Sequence, residues 1–117
     1  MIIEGAVIRF LSDALATEHV YAERPANVPD EYYIIEKTGG GEANHIQSAM
    51  IAVQSISSGS LLRAAEMDLD VRRAMPMLVQ EDEISHCSLN SSYNFTNDET
   101  REYRYQSVFD ISYTEGE

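Results

Sequence analysis

The closing stretch REYRYQSVFDISY, Arg101 to Tyr113, constrains the fold more than any other part of the chain. Successive side chains of a strand point to opposite faces, so Tyr103, Tyr105, Phe109, Ile111 and Tyr113 share one side, together with Arg101 and Ser107. Glu102, Arg104, Gln106, Asp110 and Ser112 fall on the other, interrupted by Val108. A strand this long and two-faced belongs in an antiparallel sheet. One side covers a core, and the other is open to water or to a neighbouring subunit.

The segments before it supply partners for that sheet. YYIIEK is β-branched and aromatic, TGGGEAN follows it, and HIQSAMIAVQSIS is a long run with few charges. This strand–glycine–strand order predicts a hairpin whose glycine-rich tip, Lys37 to Asn44, is longer than a two-residue turn. EISHCSLNSSYNFTN and ETREYRYQSVFDISY predict a second hairpin, joined by the turn residues NDE. HVYAE reads as a short strand and RPANVPDE, with two prolines, as a loop.

Two stretches change period. Ile3, Val7, Phe10, Leu11 and Ala14 form one stripe of a helix. Leu61, Ala64, Ala65, Val71 and Met75 form another, with Leu62 and Leu69 at its margin and Arg63, Glu66, Asp70 and Arg73 mainly opposite. Ser58 or Ser60 is placed to cap this second helix, and Pro76 predicts its end at Met75 or one turn later. The expected fold is α+β in the order α-β-β-β-α-β-β. It is a single domain, 1–117, with a mostly antiparallel four- to five-stranded sheet and two helices packed on one face.

Charge narrows the function. The net charge is −12, and acidic side chains concentrate beyond Glu81. Nucleic-acid binding depends on cations that displace phosphate counterions, so no sequence-specific nucleic-acid partner is expected. Cys87 is the sole cysteine, which excludes an intramolecular disulfide and a thiolate cluster. No apolar run approaches the roughly 18 residues of a bilayer span, and the N-terminus lacks the basic start of a signal peptide. The chain is expected to be made and kept in a cytosol, or in a particle assembled there, with no membrane partner. The sequons at Asn90 and Asn94 then carry no meaning.

Catalytic and metal chemistry find little support. His19, His45 and His86 are far apart and lack metal-ligand spacing. His86 and Cys87 are adjacent, so on a strand they diverge. Glu81, Asp82, Glu83 and His86 lack the ligand alternation of a calcium loop and read as a solvated turn. Asp68 and Asp70 read as a solvated helix face, with Asp68 beside Arg72 at i+4. TGGGE lacks the lysine and the following helix of a phosphate loop. No catalytic residue, cofactor or metal site is assigned, and no enzymatic activity is expected.

One resemblance spans nearly the whole chain. It is carried by the amphipathic N-terminal helix, by VYAERPANVPDEYYIIEKTGGGEANHIQSAMIAVQSIS, by LLRAAEMDLDVRRAM and by the YRYQSVFDISY ending. These segments resemble the small minor structural proteins of long-tailed phages of Gram-positive hosts, in the tail-terminator or tail-completion group. The resemblance implies a ring of copies, commonly six. Such a ring caps the tail tube, stops its polymerisation and offers the surface that joins the head. The implied partners are the chain itself, the tail tube protein and head–tail connector proteins. The implied location is the head-proximal end of the virion tail, after assembly in the host cytoplasm. A head-completion or connector protein of the same virion is the alternative, and a small cytosolic ligand- or regulator-binding domain is a second. Contact residues expected by position are Lys37, Gly39, Gly40, Gly41, Glu42 and Asn44 on the hairpin tip. Arg101 and Arg104, the cations of an acidic segment, are expected either to pair with nearby acids or to bond across the ring.

Overall fold

The alternating segments pair into one sheet, and the helical stripes lie across a single side of it. The computed structural model describes residues 1–97, 99 and 102–115. Along the chain come α1 (Ile3–Ala14), β1 (Val20–Tyr21), β2 (Glu31–Ala43), β3 (Ile46–Ser57), α2 (Leu61–Ala74), a 3₁₀ segment (Met75–Gln80), β4 (Ile84–Asn94) and β5 (Tyr103–Tyr113). The fold is α+β with the expected element order. The strands lie in the order β1-β2-β3-β5-β4. All neighbours run antiparallel except β1 and β2, whose short parallel contact makes the sheet mixed.

Register decides which residues form the core. Ile35 faces Val53, Ile51 faces Phe109 and Ala49 faces Ile111, so these odd positions share the helix side. Ile3, Val7 and Leu11 of α1 and Met67, Val71 and Met75 of the second helical stretch close over them, all buried. Phe10 packs at the margin, while Ala14 of the expected stripe is exposed. Leu62, placed at the margin of the second stripe, is 77% exposed.

Helix ends follow local chemistry. The Ser60 hydroxyl accepts the Arg63 backbone N–H at 3.2 Å and caps α2. Pro76 lacks the N–H that an α-helix would need, and the chain tightens there into the 3₁₀ segment. At the end of α1, Thr17 N–H bonds the Ser12 carbonyl and Ala16 N–H bonds that of Asp13. This paired pattern terminates helices and places Ala16 at φ 52°, a conformation usually given to glycine.

The β2–β3 hairpin departs from the sequence reading. The glycines are not its tip. Gly39, Gly40 and Gly41 pair with Met50, Ala49 and Ser48 inside the ladder, after a bulge between Lys37 and Gly39. The turn is the two residues Asn44 and His45, at φ 53° and 67°. Two successive left-handed residues match the right-handed twist of the flanking strands, and asparagine enters that region most readily.

Candidate functional site

The outer half of the β2–β3 hairpin forms an exposed arm, backed along one edge by β5. From Glu36 to Ser48 every residue is exposed except Gly39 and Gln47, which are half-buried. Lys37, Gly39, Gly40, Gly41 and Glu42 lie opposite β3 residues that also pair with β5, and of the expected contact residues only Asn44, in the turn, projects past the sheet. Beyond the ladder the arm has a few side-chain bonds: Thr38 donates to the Met50 carbonyl at 3.3 Å, Ser48 donates to the Gly41 carbonyl at 3.4 Å, and Gln47 Nε2 donates to Glu42.

Arg104 lies elsewhere. It pairs in register with Ile56, at the opposite end of β3 from the turn. At ~3.3 Å per residue the two ends are about 30 Å apart. The expected contact residues thus divide between two places. Arg104 bonds within its own chain, with Nη1 donating to Gln54 Oε1 at 3.1 Å and Nη2 to Glu102 Oε1 at 3.4 Å. Arg101 lies outside the described residues.

Around Arg104 a continuous polar chain crosses the sheet face that the helices leave uncovered. Tyr32 Oη donates to Glu102 Oε2 at 2.7 Å, and Arg24 Nη1 donates to Glu102 Oε1. Gln54 Nε2 donates to Gln106 Oε1 at 3.1 Å, and Gln106 Nε2 to Tyr93 Oη at 2.6 Å. Tyr32, Ile56, Gln54, Glu102 and Gln106 are buried. This part of the second face is therefore built inward, and is not the simple wet side that alternation predicts. Burial alone would raise the Glu102 carboxyl. Bonds from Tyr32 and Arg24 and the nearby charges of Arg24 and Arg104 outweigh it and hold the group below its ordinary range. The same burial and the same carboxylate push the Tyr32 phenol up to about 12.

A second buried cluster was not expected. Asp68, read as solvated, is 1% exposed. It accepts from Ser107 Oγ, from Ser92 Oγ at 2.8 Å and from Arg72 Nε at 3.0 Å. The i+4 pairing with Arg72 is present, but the carboxylate points into the sheet. The signal for it was Ser107, a hydroxyl placed among aromatic and aliphatic residues on the helix side of β5.

A groove of about 1030 Å³ opens between the end of α1, α2 and the start of β2. Phe10, Leu15, Met67 and Met77 line its apolar part, with Asp30, Glu31, Arg63, Asp70 and Arg73 also on its wall. Arg63 holds Glu31 through two bonds, 2.8 and 3.2 Å. Burial, then the charge of Asp70, push the Tyr33 phenol in this groove up to about 12, so it is a poor base at neutral pH. His19 Nδ1 lies 2.9 Å from the Tyr21 hydroxyl, and His86 Nε2 2.9 Å from Ser88 Oγ. His45 sits in the exposed turn. Burial pushes the Cys87 thiol up to about 11, which keeps it protonated and weakly nucleophilic. Among the described residues, no three His, Cys, Asp or Glu side chains gather as a metal site. No helix among them is long and apolar enough to cross a membrane. Glu81, Asp82 and Glu83 are exposed before β4.

No protein-family model matches the chain, and no curated protein matches it.

Proposed function

We propose that this chain is an assembly protein of a long-tailed phage or prophage. On this reading it caps the tail tube as a ring of copies, ends tube growth and presents the surface to which the head joins. The observation that carries the reading is the arm. β5 backs the arm along one edge as far as Gln47, and only Ala43 to Ile46 project past it as a bare two-stranded end, which alone is marginally stable. Residues 36–48 are almost wholly exposed although they are ordered within the sheet, and this uncovered surface is what a partner would cover. The likeness of the chain's segments to tail-completion proteins agrees with that use.

Charge suits the role. A surface of net charge −12 repels passing DNA and discourages sticking in a channel. No substrate is turned over on this reading. Contacts with the tail tube protein and with connector proteins are made along the axis, and contacts with other copies around it.

The test is electron microscopy of particles made with this gene disrupted. Overlong tails are expected. Capped tails of normal length beside loose heads would assign the chain to head completion instead. Intact infectious particles would remove both roles.

A further inference from the structure

The sheet has two open edges, and they differ from the rest of the surface. β4 ends the sheet on one side and pairs with β5 alone among the strands. It is 11 residues long, and its sequence ISHCSLNSSYN contains no Asp, Glu, Lys, Arg or Pro. In a chain with 24% charged residues, that absence is a departure. Proteins ordinarily blunt an exposed edge with charge or proline, because an unguarded edge pairs with any passing strand. β4 is interrupted only by its two register shifts, at Ile84/His86 and Leu89/Ser91. Three large apolar side chains stand exposed on and just beyond it: Leu89 at 47%, Tyr93 at 41% and Phe95 at 46%.

The other open edge belongs to the arm. β1 pairs with β2 only at Tyr33 and Ile34, so among the described residues no strand lies on the outer side of β2 from Ile35 to Ala43. Gly39 to Gly41 lie within that length and present bare backbone to an approaching strand. Ile46 and Met50, on the paired strand β3, are also exposed.

We propose that β4 of one copy pairs with the outer edge of β2 of the next, extending the sheet from subunit to subunit. Strand direction supports this occupant. β2 is antiparallel to β3, β3 to β5 and β5 to β4, so β4 runs opposite to β2. A neighbour set side by side in the same orientation therefore continues the antiparallel alternation without turning over. The two edges are different surfaces, and a contact between different surfaces propagates head to tail and closes only as a ring. Main-chain bonds supply the attraction, as in other strand additions. The absence of charge on β4 keeps two acidic molecules from meeting through like charges. The head-to-tail geometry rests on the ring reading above, whereas the edge pairing itself is tested independently of it.

The experiment uses single cysteines in a Cys87→Ser background: Ser91→Cys on β4 and Gly41→Cys on β2. A Cβ at Gly41 meets its nearest atom, Ser48 Oγ, at 3.6 Å, an ordinary contact. Purified proteins are cross-linked with a short bis-maleimide at concentrations rising to about 1 mM, with circular dichroism melts to confirm folding. The expected result is a dimer from mixing the two single variants, a ladder from the double variant, and nothing from either single variant alone. Leu89→Lys, at an exposed site, should raise the concentration needed for the ladder at least tenfold and leave the melt unchanged. Self-dimerisation of Ser91→Cys alone would replace the proposal by a two-fold β4–β4 contact. No cross-link in any mixture at the highest concentration would overturn it. Overlong tails together with failed cross-linking would sink this contact but keep the cap. Cross-linked ladders together with normal tails would do the reverse.

Discussion

Asp68 and Glu102 are buried acids, each held by bonds from other segments of the chain. Asp68 precedes Arg72 by four residues, and that spacing alone describes an exposed helix pair. What buries it is Ser107 on the facing strand, a partner that only the packing of α2 on β5 supplies. Replacing Asp68 by alanine leaves the buried Ser107 hydroxyl without its acceptor and also takes one from Ser92 and the partly exposed Arg72, so Asp68→Ala is expected to cost about 2–3 kcal/mol. Asp68→Asn, which keeps an acceptor oxygen, should cost less. Urea unfolding of the two variants beside the parent checks the order, and equal costs would contradict it. Glu102 gives a pH signature. Its carboxyl is held below the ordinary 4.5, so the unfolded chain takes up the proton first. Its contribution is complete above about 4.5 and drains away as pH falls through the lower folded value. Tyr32 acts at the other end, because a phenol raised from 10 to about 12 keeps its proton in the folded state. Its contribution is complete below pH 10 and is lost as pH rises toward 12. Unfolding midpoints measured against pH should therefore show a weaker acid loss in Glu102→Gln and a weaker alkaline loss in Tyr32→Phe. Parallel curves for parent and variants would show that these bonds contribute nothing measurable.

The arm shows what was legible at the level of elements and what was not. A hairpin between YYIIEK and HIQSAMIAVQSIS follows from two β-rich runs around a breaker, and it is present. The position of the turn does not follow, because three glycines outweigh Asn44-His45 on propensity alone. The ladder resolves the competition. A two-residue turn at Asn44-His45 lets residues 39–43 pair with 46–50, whereas a turn centred on the glycines would forfeit those bonds. Glycine is then required at one position by close approach. A Cβ at Gly40 would lie 2.8 Å from the Ser48 carbonyl oxygen and 2.9 Å from Lys37 Cε, and the first of these is backbone that cannot swing aside. At Gly39 the nearest atom would be Met50 Sδ, at 3.8 Å. Gly40→Ala should destabilise the hairpin by about 1–3 kcal/mol. Gly39→Ala should be neutral or stabilise by up to ~1 kcal/mol, through a less disordered unfolded chain. Hydrogen-exchange protection of the arm amides separates the two; equal protection would mean that Gly40 is not packed as described.

For the whole molecule, the element order, most of the α1 stripe and the core positions Phe109, Ile111 and Tyr113 of β5 were readable, since each is a periodicity within one segment. Tyr103 on the same face of β5 is exposed, and Met67, outside the expected stripe, is buried. The polar chain was readable only in part: alternation puts Glu102, Arg104 and Gln106 on one face of the closing segment, but Gln54, Tyr32 and Arg24 come from other segments and meet them only in the folded sheet. The same limit applies to assembly, where the surface and not the period decides. Each copy brings a charge of −12 to any ring, so the long-range force between copies is repulsive. The contact proposed for β4 has no Asp, Glu, Lys or Arg of its own on that strand to weaken. Raising salt shortens the screening length from about 10 Å at 0.1 M to about 3 Å at 1 M and removes the repulsion, while main-chain bonds and apolar contacts persist. Multimers should therefore form at lower protein concentration as salt rises over this range, as followed by light scattering. An interface held by charge pairs, such as one built around Arg101, would respond in the opposite direction. The sign of the salt dependence consequently discriminates between an uncharged edge and an ionic seam before any ring has been imaged.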